Sequence, residues 1–203
     1  PLYNLGNLEL ERGDGASALE RYAQALAILQ GVPNQNRRRI AGVLSNAAAA
    51  AVGMGDLDTA TRHATASQTE MQALVGPKHP LLAAPVDALG MVAMARGDLV
   101  GAKTHFERAA ALLEPLGKQH PNYAMVSVHL GQLRVSEGRL DEGAEVLDAA
   151  RGALHEALPP EHPTVLSADA AWAEAELERG HPEVARPLLE RVTEGIVEPN
   201  DRA

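Results

Sequence analysis

The segments GDGASA, GDLDTA, GDLVGA, GRLDEG and GHPEVA begin at Gly13, Gly55, Gly97, Gly138 and Gly180, at intervals of 42, 42, 41 and 42 residues. A fixed period of this length describes stacked supersecondary units rather than one domain around a single centre. Each segment has the chemistry of a corner between two antiparallel helices. The glycine can take the left-handed conformation that ends one helix, and the polar residue after it can cap the next, with Asp14, Asp56 and Asp98 as the expected caps. Seven residues before each corner stands Gly6, Ala48, Gly90, Gly131 or Ala173, and five after it stands Ala18, Ala60, Ala102, Gly143 or Ala185. Small residues at both points let the helices touch. A larger residue then recurs as Tyr22, Phe106, Leu147 and Leu189, with Ala64 as the exception, on the face expected to be buried between neighbours.

This register predicts helix pairs over about 1–12 and 16–31, 38–54 and 57–75, 80–96 and 99–116, 122–137 and 140–158, and 163–179 and 182–197. The fold class is therefore an all-α solenoid of five repeats, about 1–36, 37–78, 79–120, 121–161 and 162–197, with a polar tail at 198–203. Composition agrees: apolar residues are 45% but aromatics only 2%, so Ala, Leu and Val must fill the interior of closely packed helices. Pro1 runs at once into the helical LYNLGNLELERG, with neither an initiator Met nor a signal pattern, so a fragment of something longer is expected.

Several functions are disfavoured. A formal charge of -9 repels a phosphate backbone, so nucleic acid is an unfavourable partner. With no cysteine there is no disulfide, thiolate metal site or cysteine nucleophile, which is compatible with an intracellular, cytoplasmic location. No apolar run approaches the ~18 residues that cross a bilayer. GDGASA sits after a helical stretch, where a dinucleotide fingerprint needs a strand, and no phosphate-loop, zinc-protease, nucleophile-elbow or protein-kinase signature occurs. Neither catalysis nor a cofactor is expected. His79, His120 and His162 recur at 41 and 42 residues in KHP, QHP and EHP, and residues a whole repeat apart cannot share one zinc, so each is expected to cap or pack a helix start. Arg37, Arg38 and Arg39 form the one basic cluster, expected in a loop as a solvated run or partner contact. Trp172, the only tryptophan, is expected in the core or as cover for the last repeat.

The order small, small, aromatic, small at these offsets resembles the tetratricopeptide repeat across essentially the entire chain. The 42-residue unit, the His-Pro loops and ARPLL at 185–189 are similar to the variant found in kinesin light chains and many bacterial signalling proteins, although QNRRR at 35–39 stands where one His-Pro belongs. That resemblance implies a concave groove lined by the first helix of each pair. It would include Tyr3, Asn4 and Asn7, Ser45 and Asn46, Asp87 and Met91, His129 and Gln132, and Glu174, with Glu11, Met94 and Glu178 one turn on. Asn4 and Asn46 match the groove asparagine that hydrogen-bonds an extended ligand's backbone, and an amide can donate and accept at once. Members that clamp a C-terminal carboxylate carry Lys and Arg where this chain has Ala84 and Ala88. Glu11, Asp87, Glu174 and Glu178, with Met91, Met94 and Met125, favour a neutral or basic peptide. The implied function is a protein or peptide interaction scaffold, the docking segment of a larger bacterial signalling protein such as a Ser/Thr kinase. The alternative is self-association through the terminal helices, because Val184, Leu188, Leu189, Val192 and Ile196 form one apolar stripe.

Overall fold

A computed structural model describes residues 2–31 and 33–197, with side chains described except at 11, 33–35 and 194–197. The expected tail at 198–203 lies outside the described residues, as does the side chain of Glu11. Among the described residues there are ten α-helices and no strand. They are α1 (Leu2–Glu11), α2 (Gly15–Gln30), α3 (Pro33–Gly53), α4 (Leu57–Val75), α5 (Ala83–Ala95), α6 (Leu99–Leu113), α7 (Pro121–Ser136), α8 (Leu140–Ala157), α9 (Pro163–Glu178) and α10 (Pro182–Val197). They fall into two compact units, Pro1–Leu112 with the first three pairs and Leu113–Ala203 with the last two.

The corners are built as their residues dictate. Gly13, Gly55, Gly97, Gly138 and Gly180 have φ between 75° and 87°, the left-handed region in which a Cβ is strained. Asp14, Asp56 and Asp98 then accept from the backbone N–H of Ser17 (3.0 Å), Thr59 (3.1 Å) and Gly101 (2.9 Å). The His-Pro loops also cap. Nδ1 of His79, His120 and His162 accepts from the N–H of Leu81, Asn122 and Thr164 at 3.1, 3.2 and 3.2 Å, and the following Pro opens the helix where its missing N–H costs nothing. Before α5 that opening is a 3-10 turn, Pro80–Leu82, and a second such turn, Glu114–Leu116, closes α6 around Pro115, which cannot donate.

One junction differs from expectation. The helix expected over 38–54 begins at Pro33, so the QNRRR stretch is helical rather than a loop. Proline suits a first helical turn, and Asn36 Nδ2 bonds Leu29 O at 3.3 Å, tying the new helix back to the end of α2. The basic cluster thus lies on the first turns of α3. Arg37 pairs with Glu70 of α4 at 3.2 Å, while Arg38 and Arg39 are exposed.

Within each pair a small residue faces a large one. A Cβ on Gly6 would lie 2.7 Å from the Tyr22 ring, one on Gly90 2.4 Å from Phe106, and one on Gly131 2.6 Å from Leu147 Cγ. In the second pair both partners are alanines, Ala48 and Ala64, each 0% exposed and closed over by Ala88 and Leu89 of α5. Helix contact therefore rests on a volume exchange between two positions one corner apart.

Candidate interaction face

The first helices of the pairs carry the residues expected to bind, and the fold has already used several of them. Asn46 is half-buried on α3 and donates both amide protons inward, to Tyr3 Oη at 3.1 Å and to Asn7 Oδ1 at 2.9 Å. Tyr22 Oη donates to the same Asn7 oxygen at 2.8 Å, and the Tyr3 and Tyr22 rings tilt together with centroids 6.2 Å apart. This network ties α1, α2 and α3 into one body. Asn46→Ala would leave Asn7 and Tyr3 short of a donor and lower stability, so it is not a clean probe of binding. What Asn46 keeps for a ligand is its carbonyl oxygen. Asn4, its register mate, has no helix packed on that side among the described residues and is exposed.

Ser45 turns toward α4 instead of the face. Its Oγ lies 2.8 Å from Ser67 Oγ, and because Ser67 spends its proton on Ala41 O at 2.7 Å, Ser45 must be the donor. His129 is buried and Asp87 half-buried, and both are held by interactions of the fold. Met91 and Met94 are half-buried on α5, and Gln132 is half-buried on α7. Glu174 and Glu178 are exposed on α9. Among the described side chains, the exposed acidity expected of the face lies on the second unit.

A cavity of about 710 Å³ in the first unit is lined by Leu2, Ile28, Leu29 and Val43, with Arg38 and Arg39 at its edge.

A charge cluster in the second unit was not anticipated. Asp169 of α9 is 0% exposed and takes the register place of Leu2, Leu44, Val86 and Ser127. His155 Nε2 lies 2.9 Å from its Oδ1, Arg151 is 3.6 Å away, and Arg191 of α10 bonds Oδ2. The Arg151 guanidinium lies over the Trp172 ring, 4.4 Å from its centroid, and Trp172 packs on the α8/α9 cluster as cover, one of its two expected roles. A single acidic residue in a register column that otherwise holds three apolar residues and a serine was the available signal. A second buried carboxylate, Glu176, is penalised by its burial but held by His181 at 2.7 Å and by Arg179 at 2.6 Å, and the hydrogen bonds win, lowering its pKa.

Two histidines titrate the other way. His63 and His105 occupy equivalent places on α4 and α6, where burial pushes both imidazoles below their ordinary value and Arg62 or Arg108 adds to it, against a smaller pull from Asp56 or Asp98. The unfolded chain then takes up these protons at higher pH than the folded one. Stability is indifferent to them above about pH 6.5 and falls as pH drops through that value. Glu176, with a depressed pKa, contributes stability that is lost only below about 4.5, so the two windows separate. We expect the thermal midpoint to fall between about pH 7 and 5, and less steeply in His63→Gln/His105→Gln. An identical slope in the variant would refute the assignment.

The paired helices, left-handed corners and volume exchange define an all-α array of helix-turn-helix repeats. The chain has the tetratricopeptide-repeat fold. No protein-family model matches the sequence, and no curated protein matches it. Among solved structures it is similar to the nearly identical TPR-like repeats of a kinesin light chain-like protein from Podosopora anserina, with a TM-score of 0.61 and 22% identity over 100% of this chain and 95% of that one. BtubC (BKLC) from P. vanneervenii gives a TM-score of 0.65 at 18% identity, over 100% of this chain and 81% of that one. A Rap protein complexed with competence and sporulation factor gives 0.78 at 15% identity over 98% of this chain and 54% of Rap, so the chain spans about half of that protein. Identities this low establish the fold and leave function to the site. Among the described residues no helix is long and apolar enough to cross a membrane.

Proposed function

We propose that the chain is a protein-interaction module that holds a protein or an extended peptide along the first helices of its pairs. One observation carries this reading. In the first unit Asn4 stands on a first helix with a side-chain amide that has no internal partner among the described contacts, and α5 carries the half-buried thioethers of Met91 and Met94; in the second unit Gln132, Glu174 and Glu178 stand on first helices with polar groups equally without an internal partner among the described contacts. Amides can both donate to and accept from an extended backbone, thioethers adapt to varied side chains, and the carboxylates favour a neutral or basic ligand. That the similar Rap structure is itself a complex supports a binding role for this architecture. The setting we propose is the docking segment of a larger bacterial signalling protein, such as the regulatory region of a Ser/Thr kinase. A parent gene without any kinase or nucleotide-binding motif would remove that setting and leave the module.

The test is fluorescence polarisation with short labelled peptides of neutral, basic and acidic composition. Neutral and basic peptides should bind, and Asn4→Ala or Gln132→Ala should each weaken them about fivefold, the worth of one hydrogen bond, without moving the thermal midpoint. Glu174→Lys should shift the preference toward acidic peptides. Binding that ignores all three substitutions would remove this face from consideration.

A further inference from the structure

The second unit holds a pocket that the proposed peptide face does not use. Arg151 of α8, Trp172 of α9, and Val184, Pro187, Leu188 and Arg191 of α10 line a space of about 300 Å³. Its openness is a property of the register. His63 and Ala66 on α4, and Val146 and Ala149 on α8, hold the places of Leu188 and Arg191, and each is half-buried or exposed although a further pair follows it within the same unit. What differs at this junction is the chemistry of the wall. The places of Arg151 and Trp172 are held at the first junction by Leu26 and Ala47, both buried in the cluster around α2.

Arg151 carries more donors than the fold uses. Its side chain is only 25% exposed, and its acidic neighbours are Asp148, 3.3 Å from Nε, and Asp169, 3.6 Å from Nη1. It donates no hydrogen bond among the described contacts, and Nη1 is buried without a bonding partner. A guanidinium this buried ordinarily spends several of its five N–H groups. The cause lies in Asp169, whose oxygens are already taken by His155 and Arg191. Arg191 bonds through Nη2 alone, and the rest of its fork is unfilled among the described contacts. Two planar donor arrays with spare N–H groups therefore share a pocket with a proline, a leucine and a valine. A carboxylate matches a guanidinium fork in shape and can accept two bonds from it. A dianion would meet more repulsion from Asp148 and Asp169.

We propose that this pocket binds a small monocarboxylate with a short aliphatic body. The carboxylate takes N–H groups of Arg151 and Arg191, and the aliphatic body lies on Leu188, Pro187 and Val184. Asp169 is the internal competitor of the ligand, since both carboxylates draw on Arg191. The site is independent of the peptide reading, because a chain that binds no peptide can still take the acid.

Trp172 is the only tryptophan, so the whole 203-residue chain gives one indole N–H signal in a proton–nitrogen correlation spectrum, and that signal reports on the pocket wall. Isovalerate, titrated at constant ionic strength, should move it saturably in the millimolar range, and isovaleramide, of the same shape without the charge, should not. Val184→Glu places a carboxylate on the wall at a 45% exposed position in the first turn of α10, where an acid suits the helix and the Asp169 contacts are untouched. It should weaken isovalerate about five- to tenfold. Asp169→Asn keeps the size of the competitor and removes its charge, and should tighten binding by a similar factor. No saturable shift at tens of millimolar isovalerate would overturn the proposal. An equal response to isovaleramide would overturn it by removing the role of the carboxylate, and an equal response to inorganic phosphate by removing the selection for it. Isovalerate binding that ignores both Val184→Glu and Asp169→Asn would overturn it by placing the ligand elsewhere.

Discussion

Replacing Gly90 by alanine should destabilise the protein by about 3 kcal/mol, although alanine is worth about 1 kcal/mol more than glycine inside a helix. Propensity and packing point in opposite directions here, and the geometry decides between them. The new methyl would sit 2.4 Å from the Phe106 ring, a distance no carbon pair tolerates, and the ring is 0% exposed with no room to retreat. Backbone separation or an off-rotamer phenylalanine must follow. The second pair supplies the comparison, since Ala48 and Ala64 occupy the same two places without strain. In Gly90→Ala/Phe106→Ala the clash is gone, so the cost should fall short of the sum of the single variants by at least about 1 kcal/mol. Urea denaturation followed by circular dichroism on the four proteins completes the cycle. Additive costs would show that the two residues do not meet as described. Ala48→Gly, which relieves no contact, should lose only about 1 kcal/mol.

The cluster around Asp169 should respond asymmetrically. Its carboxylate is 0% exposed, whereas the side chains of Arg151, His155 and Arg191 are 25%, 30% and 54% exposed. Removing the acid frees three groups that can turn back to water. Removing His155 and Arg191 takes away both groups that bond the carboxylate directly and leaves a charge that cannot, with Arg151 3.6 Å away. Asp169→Leu, which also places there the leucine that the first two repeats carry in that register, should therefore cost less than about 2 kcal/mol, while His155→Leu/Arg191→Met should cost about 3–5 kcal/mol. Trp172, the only tryptophan, sits under Arg151 and reports on this region by fluorescence during denaturation. Equal costs for the two variants would mean that Arg151, 3.6 Å away, is enough to hold the Asp169 charge once His155 and Arg191 are gone.

Residues that act through their own backbone were legible in the sequence. The corner glycines, the Asp caps and the His-Pro helix starts depend on φ, on one hydrogen bond and on a missing N–H, all local, and the periodicity repeated each of them until accident was excluded. Pro33 shows the same rule from the other side. The place of the missing His-Pro drew attention to QNRRR, while the proline that opens α3 stood a few residues earlier.

Side-chain commitments could not be read this way. Asn4 and Asn46 are identical in register, yet one is exposed and the other is spent on Tyr3 and Asn7, because α1 packs beside Asn46 and among the described residues no helix takes that place beside Asn4. Ser45 and His129 were placed on the face by offset alone, and packing drew the first to Ser67 and buried the second. Asp169 looked like any helical acid until three cations from α8 and α10 converged on it. The sequence by itself determined the period, the helix pairs and their corners, since these follow from interactions within a few residues. Only the tertiary structure decided which polar groups remain available to a partner, because a hydrogen bond or ion pair between helices depends on distances that no local pattern encodes.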